Sequence, residues 1–370
     1  MHLKNLTLRN FKNHTELVLD FSEGVNCITG ANGSGKTNIL DALHFLSFTK
    51  SFLIHQDHQL VRDGNDSMLL DGVYDNNGFE QTVQVLLKQP GRKTFKVNNN
   101  AVGRLGSHIG MLPLVLIAPQ DIWLLQEGSS ERRRFMDMAL CQLDKLYLSN
   151  LNLYNKALEQ RNRLLKQTAS DASHTLDEEQ MESLDKVMIP AAEYIYNKRT
   201  AFIKEFVTFV IDSYQTISGG SEEAGIIYNS NLQQGKLGTL LQKSLEKDKI
   251  LQRTSVGVHK DDLEFSLNNF PVKTHASQGQ QKTFIIALKM AVCYYIHSHL
   301  NIYPMLLLDD IFEKLDNNRS MAFLQMAANN YQGQVIITDT NIERCKAALE
   351  LTGKEVNYII LKPNAQQHAQ

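Results

Sequence analysis

The spacing of apolar residues predicts strands near both ends of the chain and helices in its middle. Residues 3–9 alternate between apolar and polar positions as in a strand, and residues 112–118 form the continuous apolar run of a strand buried on both faces. From about residue 129 to 218 the apolar positions follow a helical period, and short strands return after residue 225. We therefore expect one α/β domain that is divided in sequence by a helical insertion.

The composition excludes several classes of protein. The chain has 370 residues and a net charge of −2, so any contact with nucleic acid must come from local basic patches. Its four cysteines lie far apart and form no C-x-x-C pair, which predicts a reducing compartment without zinc sites or disulfides. The first residues lack the apolar core of a signal peptide, and the longest apolar run is too short to cross a bilayer. We expect a cytoplasmic protein with no membrane contact.

Residues 30–37 match the phosphate-loop pattern G-x-x-x-x-G-K-[ST] at every fixed position, between a predicted strand and a predicted helix. Gly33 and Gly35 let backbone N–H groups turn towards a polyphosphate. Lys36 can reach the β- and γ-phosphates, and the Thr37 hydroxyl can bind Mg²⁺. An accidental Gly-rich turn is the alternative, and the flanking elements argue against it. The residues that we assign to nucleotide binding here are Gly30, Ala31, Asn32, Gly33, Ser34, Gly35, Lys36 and Thr37.

A predicted apolar strand over residues 305–308 is followed by two carboxylates, Asp309 and Asp310. In phosphate-loop enzymes such an aspartate holds Mg²⁺, directly or through water, and Asp309 together with Thr37 fits this role. Asp310 fits the base that polarises the attacking water. The alternative is that both acids only solvate the end of the strand, and the phosphate loop in the same chain argues against it.

Residues 277–283 form a small polar turn, Ser-Gln-Gly-Gln-Gln-Lys-Thr, that leads into a predicted helix. A Gly-containing turn at a helix N-terminus can bind an anion. The plainer interpretation is that Ser277 or Thr283 only caps that helix.

The order of these segments resembles the ABC-type ATPase family. A phosphate loop is followed by a long insertion, a Ser-x-Gly-Gln turn and, about 30 residues later, a Leu-Leu-Leu-Asp-Asp strand. The resemblance implies that residues 277–281, which we call the signature turn, cover ATP held by the phosphate loop of a second subunit. Ser277 would then act in catalysis, and Gly279 and Gln280 would contact the partner's ATP.

Further segments resemble the RecF family, bacterial recombination mediators that are similar to SMC heads without their long coiled coil. The segments that carry this resemblance are residues 9–13, 30–38, 118–121, 132–137, 259–262, 277–281 and 308–310. The resemblance spans residues 1 to about 350. It implies an α/β fold, namely an ABC-type phosphate-loop ATPase head with a mixed β-sheet core and a helical insertion (lobe II).

The RecF resemblance also implies a division of the chain and an activity. Residues 1–120 and 256–362 would form the ATPase lobe, residues 121–255 the helical lobe, and residues 363–370 a disordered tail. The protein would bind ATP and Mg²⁺, form a homodimer on ATP and hydrolyse it slowly. It would bind ssDNA and dsDNA at gaps or junctions and, with RecR and RecO, help to load RecA.

The resemblance places several residues individually. Lys12 and Asn13 would lie near the α-phosphate or the base. A D-loop would occupy residues 313–316. Thr338 stands where transporter ATPases have a switch histidine, so a histidine sensor of the γ-phosphate is not expected.

Local charge gives the candidate DNA contacts. Residues 129–166 carry eight Lys and Arg side chains against four acids. Arg132, Arg133 and Arg134 stand at a predicted helix start, where cations oppose the helix dipole, so DNA phosphates are a candidate reason for them. An ordinary ion-paired surface is the alternative. Binding through these arginines would be sensitive to salt and weakly dependent on sequence.

Three other functions compete with this interpretation. A transporter ATPase subunit would need a membrane partner and would carry a plain Leu-Ser-Gly-Gly-Gln signature. An SMC-type motor would need hundreds of heptad residues, and the chain offers about 90 helical ones. A phosphate-loop kinase would not need the signature turn.

Overall fold

The computed structural model describes five stretches of the chain. They are residues 1–76, 78–170, 177–220, 222–310 and 317–362. The predicted D-loop and the predicted disordered tail lie outside the described residues.

Strands predominate in the first third of the chain, and long helices follow. The strands are β1 His2–Phe11, β2 His14–Asp20, β3 Val25–Thr29, β4 Ser67–Asn76, β5 Phe79–Lys88, β6 Lys93–Val97, β7 Asn100–Ala101, β8 Leu114–Ile117, β9 Ala224–Asn229, β10 Asp262–Leu267, β11 Phe270–Pro271, β12 Met305–Asp309, β13 Val335–Asp339 and β14 Val356–Ile360. The helices are α1 Lys36–Phe48, α2 Trp123–Gln126, α3 Ser129–Leu143, α4 Lys145–Ser170, α5 Glu178–Ser218, α6 Leu237–Leu251, α7 Val272–His275, α8 Gln278–Leu300, α9 Asn317–Gln325 and α10 Ile342–Glu350.

The first sheet is antiparallel, with the strand order β2-β1-β4-β5-β6-β7. In β1, Leu3, Leu6 and Leu8 are all buried, although Leu3 and Leu6 are three positions apart and a strand repeats every two. The register between β1 and β4 shifts between Leu3 and Asn5, so a bulge returns Leu6 to the core face.

The second sheet is parallel, with the strand order β14-β3-β13-β12-β8. Every residue of β3, β12 and β13 is buried, as expected of parallel strands that are covered on both faces. The register pairs Asp309 with Thr338, and Asp339 with Thr29. The carboxyl ends of these three strands therefore lie side by side at one edge of the sheet.

The chain divides into two compact units. The first contains residues 1–122, 212–222 and 277 onwards, and the second contains residues 123–211 and 223–276. Both sheets described above belong to the first unit, and α3, α4 and α6 belong to the second.

Two segments lie in a different unit from the one that the sequence indicated. Residues 256–276, which we had placed with the ATPase lobe, belong to the second unit, because β10 pairs antiparallel with β9 along its whole length. Residues 212–222, which we had placed with the helical lobe, belong to the first unit, where the Tyr214 ring lies 5.9 Å from the Phe284 ring of α8. Both placements depend on partners distant in sequence.

Helix α8 is the one helix among the described residues that is long and apolar enough to cross a membrane. Its most apolar stretch is 67% buried inside the protein. Phe284, Leu288 and Ile296 are fully buried, so the apolar composition of α8 is that of a core helix.

The second unit contains a buried arginine, Arg199 of α5, that is 2% exposed. Its guanidinium lies 2.8 Å from Asp137 Oδ1 and 2.6 Å from Asp261 Oδ2. It also donates to the Tyr147 hydroxyl at 3.0 Å and to the Val258 carbonyl at 2.8 Å. One cation thus joins α3, α4 and α5 to the segment before β10.

We expect Arg199→Met to lower the free energy of unfolding by about 3–5 kcal/mol, because it leaves two carboxylates inside the protein without their cation. Urea denaturation followed by circular dichroism measures the loss. Lys198→Met is the matched control, since the neighbouring Lys198 side chain is 44% exposed and its ion pair with Asp144 is worth about 1 kcal/mol or less. Equal losses in the two variants would contradict the role of Arg199.

Candidate nucleotide site

The phosphate loop needs glycine at two positions where the backbone is left-handed. Gly33 has a φ of +78° and Gly35 a φ of +96°. A Cβ on Gly35 would lie 2.3 Å from His14 Nε2 and 2.7 Å from Asn13 Oδ1, whereas a Cβ on Gly33 would meet nothing within 4 Å. Gly35 is therefore required both by conformation and by the close approach of the turn between β1 and β2.

That turn supports the loop with hydrogen bonds. Asn13 Nδ2 donates to the Gly33 carbonyl at 3.2 Å, and Asn13 Oδ1 accepts from Asn38 Nδ2 at 2.7 Å. His14 Nε2 lies 3.2 Å from the Gly35 carbonyl oxygen. Burial lowers the pKa of His14, so the ring is neutral and its Nε2–H donates to that carbonyl. Asn13 thus contacts the phosphate loop at Gly33 and α1 at Asn38.

The side chain of Lys12 points elsewhere. Its ammonium lies 2.5 Å from Asp41 Oδ2 of α1, and both side chains are buried. Burial lowers the pKa of Lys12, and the Asp41 carboxylate opposes that shift. The structure therefore places this cation in an internal ion pair, whereas the RecF resemblance suggests a position near the nucleotide.

The loop and the strand ends enclose a cavity of about 360 Å³. Its lining residues are Asn13, Asn32, Gly33, Gly35, Lys36, Thr37, Asn38, Asp309, Asp310 and Thr340. Lys36 Nζ donates to the carbonyls of Gly30 and Ala31 at 2.7 and 3.1 Å, so the ammonium lies along the loop. The Ser34 N–H donates to the same Ala31 carbonyl at 3.1 Å, which holds the loop in a tight turn.

Three side chains meet where the sequence predicts Mg²⁺. Asp309 Oδ1 accepts from the Thr37 hydroxyl at 3.1 Å and from the Thr338 hydroxyl at 2.7 Å. A hydroxyl and a carboxylate beside a phosphate site are the hard oxygen ligands that Mg²⁺ prefers, with phosphate and water completing its shell. No cluster of three or more His, Cys, Asp or Glu that could hold a metal occurs in the part of the chain that the structure describes. The donor set at Asp309 fits a metal that is held partly by the nucleotide.

Asp310 follows directly and has a left-handed backbone, with a φ of +50°. Its N–H donates to the Thr338 carbonyl at 3.2 Å, which anchors the strand end to β13. The left-handed residue turns the chain out of β12, and Asp310 lines the cavity beside Asp309.

Ser277 and Gln278 of the signature turn are exposed, Gly279, Gln280 and Gln281 are partly buried, and none of the five is among the residues that line the cavity. Ser277 Oγ accepts from the Gln280 N–H at 3.2 Å, and the Ser277 N–H donates to Gln280 Oε1 at 2.6 Å. Ser277 therefore does cap α8, as the plainer interpretation holds. Its exposure also leaves the turn accessible to another molecule.

The structure places two of the three predicted DNA-binding arginines in internal contacts of the second unit. Arg132 Nε and Nη2 lie 2.6 and 3.1 Å from the two carboxylate oxygens of Asp262. Arg133 Nη1 donates to the Asp261 carbonyl at 2.8 Å. Arg134 has a half-exposed side chain, 3.9 Å from Glu131. Internal contacts thus account for Arg132 and Arg133 without DNA.

Residues 259–262, the His-Lys-Asp-Asp segment, begin with a histidine that makes hydrogen bonds inside the second unit. His259 Nδ1 lies 2.6 Å from the Tyr154 hydroxyl, and Nε2 lies 3.0 Å from the Thr254 carbonyl oxygen. Burial lowers the pKa of His259 to about 4, so the ring is neutral at physiological pH. Nε2–H then donates to the carbonyl, and Nδ1 accepts from the tyrosine.

Sequence reasoning assigned no role to three residues of the cavity region, His14, Asn38 and Thr340. Asn38 directly follows the phosphate loop, and Thr340 directly follows β13, so their positions in the motifs could have indicated them. His14 gave no local signal, because it reaches the loop from β2.

Comparison with known proteins decides the family. The family model of the RecF/RecN/SMC N terminal domain matches residues 2–358. The DNA replication and repair protein RecF of Parabacteroides distasonis is 42% identical over 341 residues, or 92% of each chain. The chain belongs to the RecF family. RecF of Porphyromonas gingivalis is 43% identical over 343 residues, which cover 92% of this chain and 93% of that protein.

Solved RecF structures have the same fold. RecF-ATPrS, a recombination mediator protein in the RecFOR pathway, matches with a TM-score of 0.86 and 30% identity over 98% of both chains. RecF-ATP matches with a TM-score of 0.83 and 31% identity over 92% of both chains. The Smc head domain of Pyrococcus furiosus, at 16% identity and a TM-score of 0.57, covers 98% of this chain and 94% of that one and shares the fold. The predicted ABC-type α/β head and the assignment to RecF, a DNA replication and repair protein, are confirmed.

We expect Gly35→Ala to weaken the binding of a fluorescent ATP analogue at least about tenfold more than Gly33→Ala does. Both variants carry the left-handed backbone cost of roughly 1–2 kcal/mol, but only the Cβ at position 35 meets His14 and Asn13. Titration of the dilute protein gives both affinities, and thermal melting checks that both variants fold. Equal affinities would contradict the tight packing around Gly35.

Proposed function

We propose that this RecF-family protein is a slow ATPase that binds DNA and forms a homodimer on ATP. It acts in the cytoplasm at gapped DNA or at ssDNA/dsDNA junctions, where with RecR and RecO it helps to load RecA in recombinational repair and replication restart. The observation that carries the proposal is the separation of two half-sites in one chain. The phosphate loop and Asp309 share a cavity, while Ser277 and Gln278 of the signature turn are exposed and do not line it.

The residues of the cavity have distinct roles in this proposal. Backbone N–H groups of the phosphate loop and the Lys36 ammonium bind the phosphates. Thr37 and Asp309 would hold Mg²⁺, which would supply positive charge beside the phosphates. Thr338 keeps Asp309 oriented through its 2.7 Å hydrogen bond. Asp310 orients the attacking water and accepts its proton.

Slow hydrolysis follows from the missing half of each site. The exposed Ser277 and the N-terminus of α8 carry an oriented hydroxyl and a partial positive charge suited to an anion. In the dimer they cover the γ-phosphate bound by the partner subunit. A lone subunit lacks these donors, so the transition state is incompletely stabilised until two subunits meet.

On the first unit, the proposed DNA-binding surface consists of strands β5 and β6 and the segment after β7. Residues 81–120 contain no Asp or Glu. Lys88, Arg92, Lys96 and Arg104 are exposed there, and none of the four has an ion pair within the described residues. Unpaired, exposed cations are the side chains that release counterions from a phosphate backbone. In the second unit, Arg134 is the one of the three consecutive arginines that we retain as a DNA contact, because its side chain is half-exposed.

The runner-up is another ABC-type ATPase, either a transporter subunit or a short SMC-like head. The fold shared with the Smc head favours the second of these as a structural relative.

We expect Ser277→Arg to abolish ATP-dependent dimerisation and to leave ATP binding by the dilute protein unchanged. The added side chain blocks the turn sterically, while the cavity contains no signature-turn residue. Sedimentation velocity with and without ATP measures dimerisation, and a fluorescent ATP analogue measures binding. Ser298→Arg is the control, because Ser298 is exposed near the other end of α8. A Ser277 variant that dimerises like the wild type would rule out the shared site.

We expect the paired substitution Lys96→Gln with Arg104→Gln to weaken binding to a gapped duplex and to flatten its salt dependence. Each lost phosphate contact lowers the slope of log K against log salt by about 0.9. Fluorescence anisotropy in the presence of ATP over a NaCl series gives the slope. Lys4→Gln is the control, since this exposed lysine of the same sheet already pairs with Glu80 at 3.8 Å. An unchanged slope in the paired variant would place DNA elsewhere.

A further inference from the structure

The signature turn depends on the orientation of one amide, that of Gln280. Its Oε1 accepts from the Ser277 N–H at 2.6 Å, which closes the capping box at the start of α8. The box fixes the Ser277 backbone and, through the 3.2 Å hydrogen bond from the Gln280 N–H, the Ser277 hydroxyl.

A carboxylate holds the other end of this amide. Gln280 Nε2 donates to Glu222 Oε1, and Glu222 Oε2 accepts from the hydroxyl of Tyr214. Tyr214 is fully buried, and its ring packs 5.9 Å from the Phe284 ring of α8. A continuous chain of contacts therefore runs from the core of the first unit through Glu222 to the exposed turn.

The chemistry of these groups allows one orientation of the Gln280 amide. An ionised carboxylate only accepts hydrogen bonds, and the Ser277 N–H only donates. A flipped amide would direct its carbonyl oxygen at the Glu222 carboxylate and its NH₂ group at the Ser277 N–H, so both contacts would become repulsive. Hydrogen bonds to an ionised acceptor are roughly twice as strong as those between neutral groups, which makes Glu222 the stronger of the two restraints.

We propose that Glu222 is a positioning residue for the pairing of two copies of this chain on ATP. It fixes the Gln280 amide, and this amide fixes the capping box. The signature turn is thereby held in the conformation that binds the partner's nucleotide. The turn is then organised before the second copy arrives, so less conformational entropy is lost on pairing. This inference rests on the proposed ATP-dependent dimer.

The test compares Glu222→Gln with Glu223→Gln. The first keeps the size of the side chain but replaces the carboxylate by a neutral amide. Gln280 Nε2 then meets an uncharged acceptor, or an NH₂ group if the new amide is turned to accept from Tyr214. The second changes an exposed neighbour that contacts Asn268 through its backbone N–H. Tyr214→Phe removes one donor to Glu222 and should give an intermediate effect.

Sedimentation velocity at saturating ATP should give Glu222→Gln a dimer dissociation constant at least about tenfold above that of the wild type. Glu223→Gln should match the wild type. ATP affinity of the dilute protein and the melting temperature should be unchanged in both. The per-subunit ATPase rate of Glu222→Gln should recover at high protein concentration, because only pairing is weakened.

The outcomes separate this inference from the proposed function. A wild-type protein that stays monomeric on ATP would overturn the proposed function. A wild type that pairs, with a Glu222→Gln variant that pairs equally well, would overturn only the role of Glu222. A variant with a lower melting temperature, or with an ATPase rate that does not recover at high concentration, would also overturn it, since Glu222 would then serve the fold or the chemistry in general.

Discussion

The parallel pairing of β3, β13 and β12 is the constraint on which the nucleotide site depends. It pairs Thr29 with Asp339 and Thr338 with Asp309 at the carboxyl ends of three fully buried strands. The phosphate loop can start only where β3 ends, and Asp309 meets Thr37 only because β12 ends within one residue of that level. A one-residue slip of β12 would turn the Asp309 side chain to the opposite face of the sheet.

The antiparallel sheet of the first unit supplies the second constraint. Asn13, in the turn between β1 and β2, and His14, the first residue of β2, reach the phosphate loop so closely that residue 35 must be glycine. The loop is therefore held from two sides before any nucleotide binds. Preorganised donors of this kind stabilise charge without reorganisation at the moment of reaction.

The parts of the site that are contiguous in sequence were predictable, and those that depend on distant partners were not. The phosphate loop was recognisable from its motif, and Asp309 from the apolar strand that precedes it. Arg132 looked like a DNA contact because its partner Asp262 lies 130 positions later. Lys12 looked like a nucleotide contact because only the fold reveals Asp41 beside it. The sequence grouped residues 256–276 with the ATPase lobe for the same reason, since only the pairing of β10 with β9 joins them to the second unit.

A site completed by two copies of one chain has a kinetic signature. The per-subunit ATPase rate, measured over a wide range of protein concentrations at saturating ATP and Mg²⁺, should be low in dilute solution and rise to a plateau as dimers form. Sedimentation on the same samples should place the rise at the monomer–dimer transition. A rate per subunit that stays constant down to concentrations at which only monomer is present would contradict a shared site.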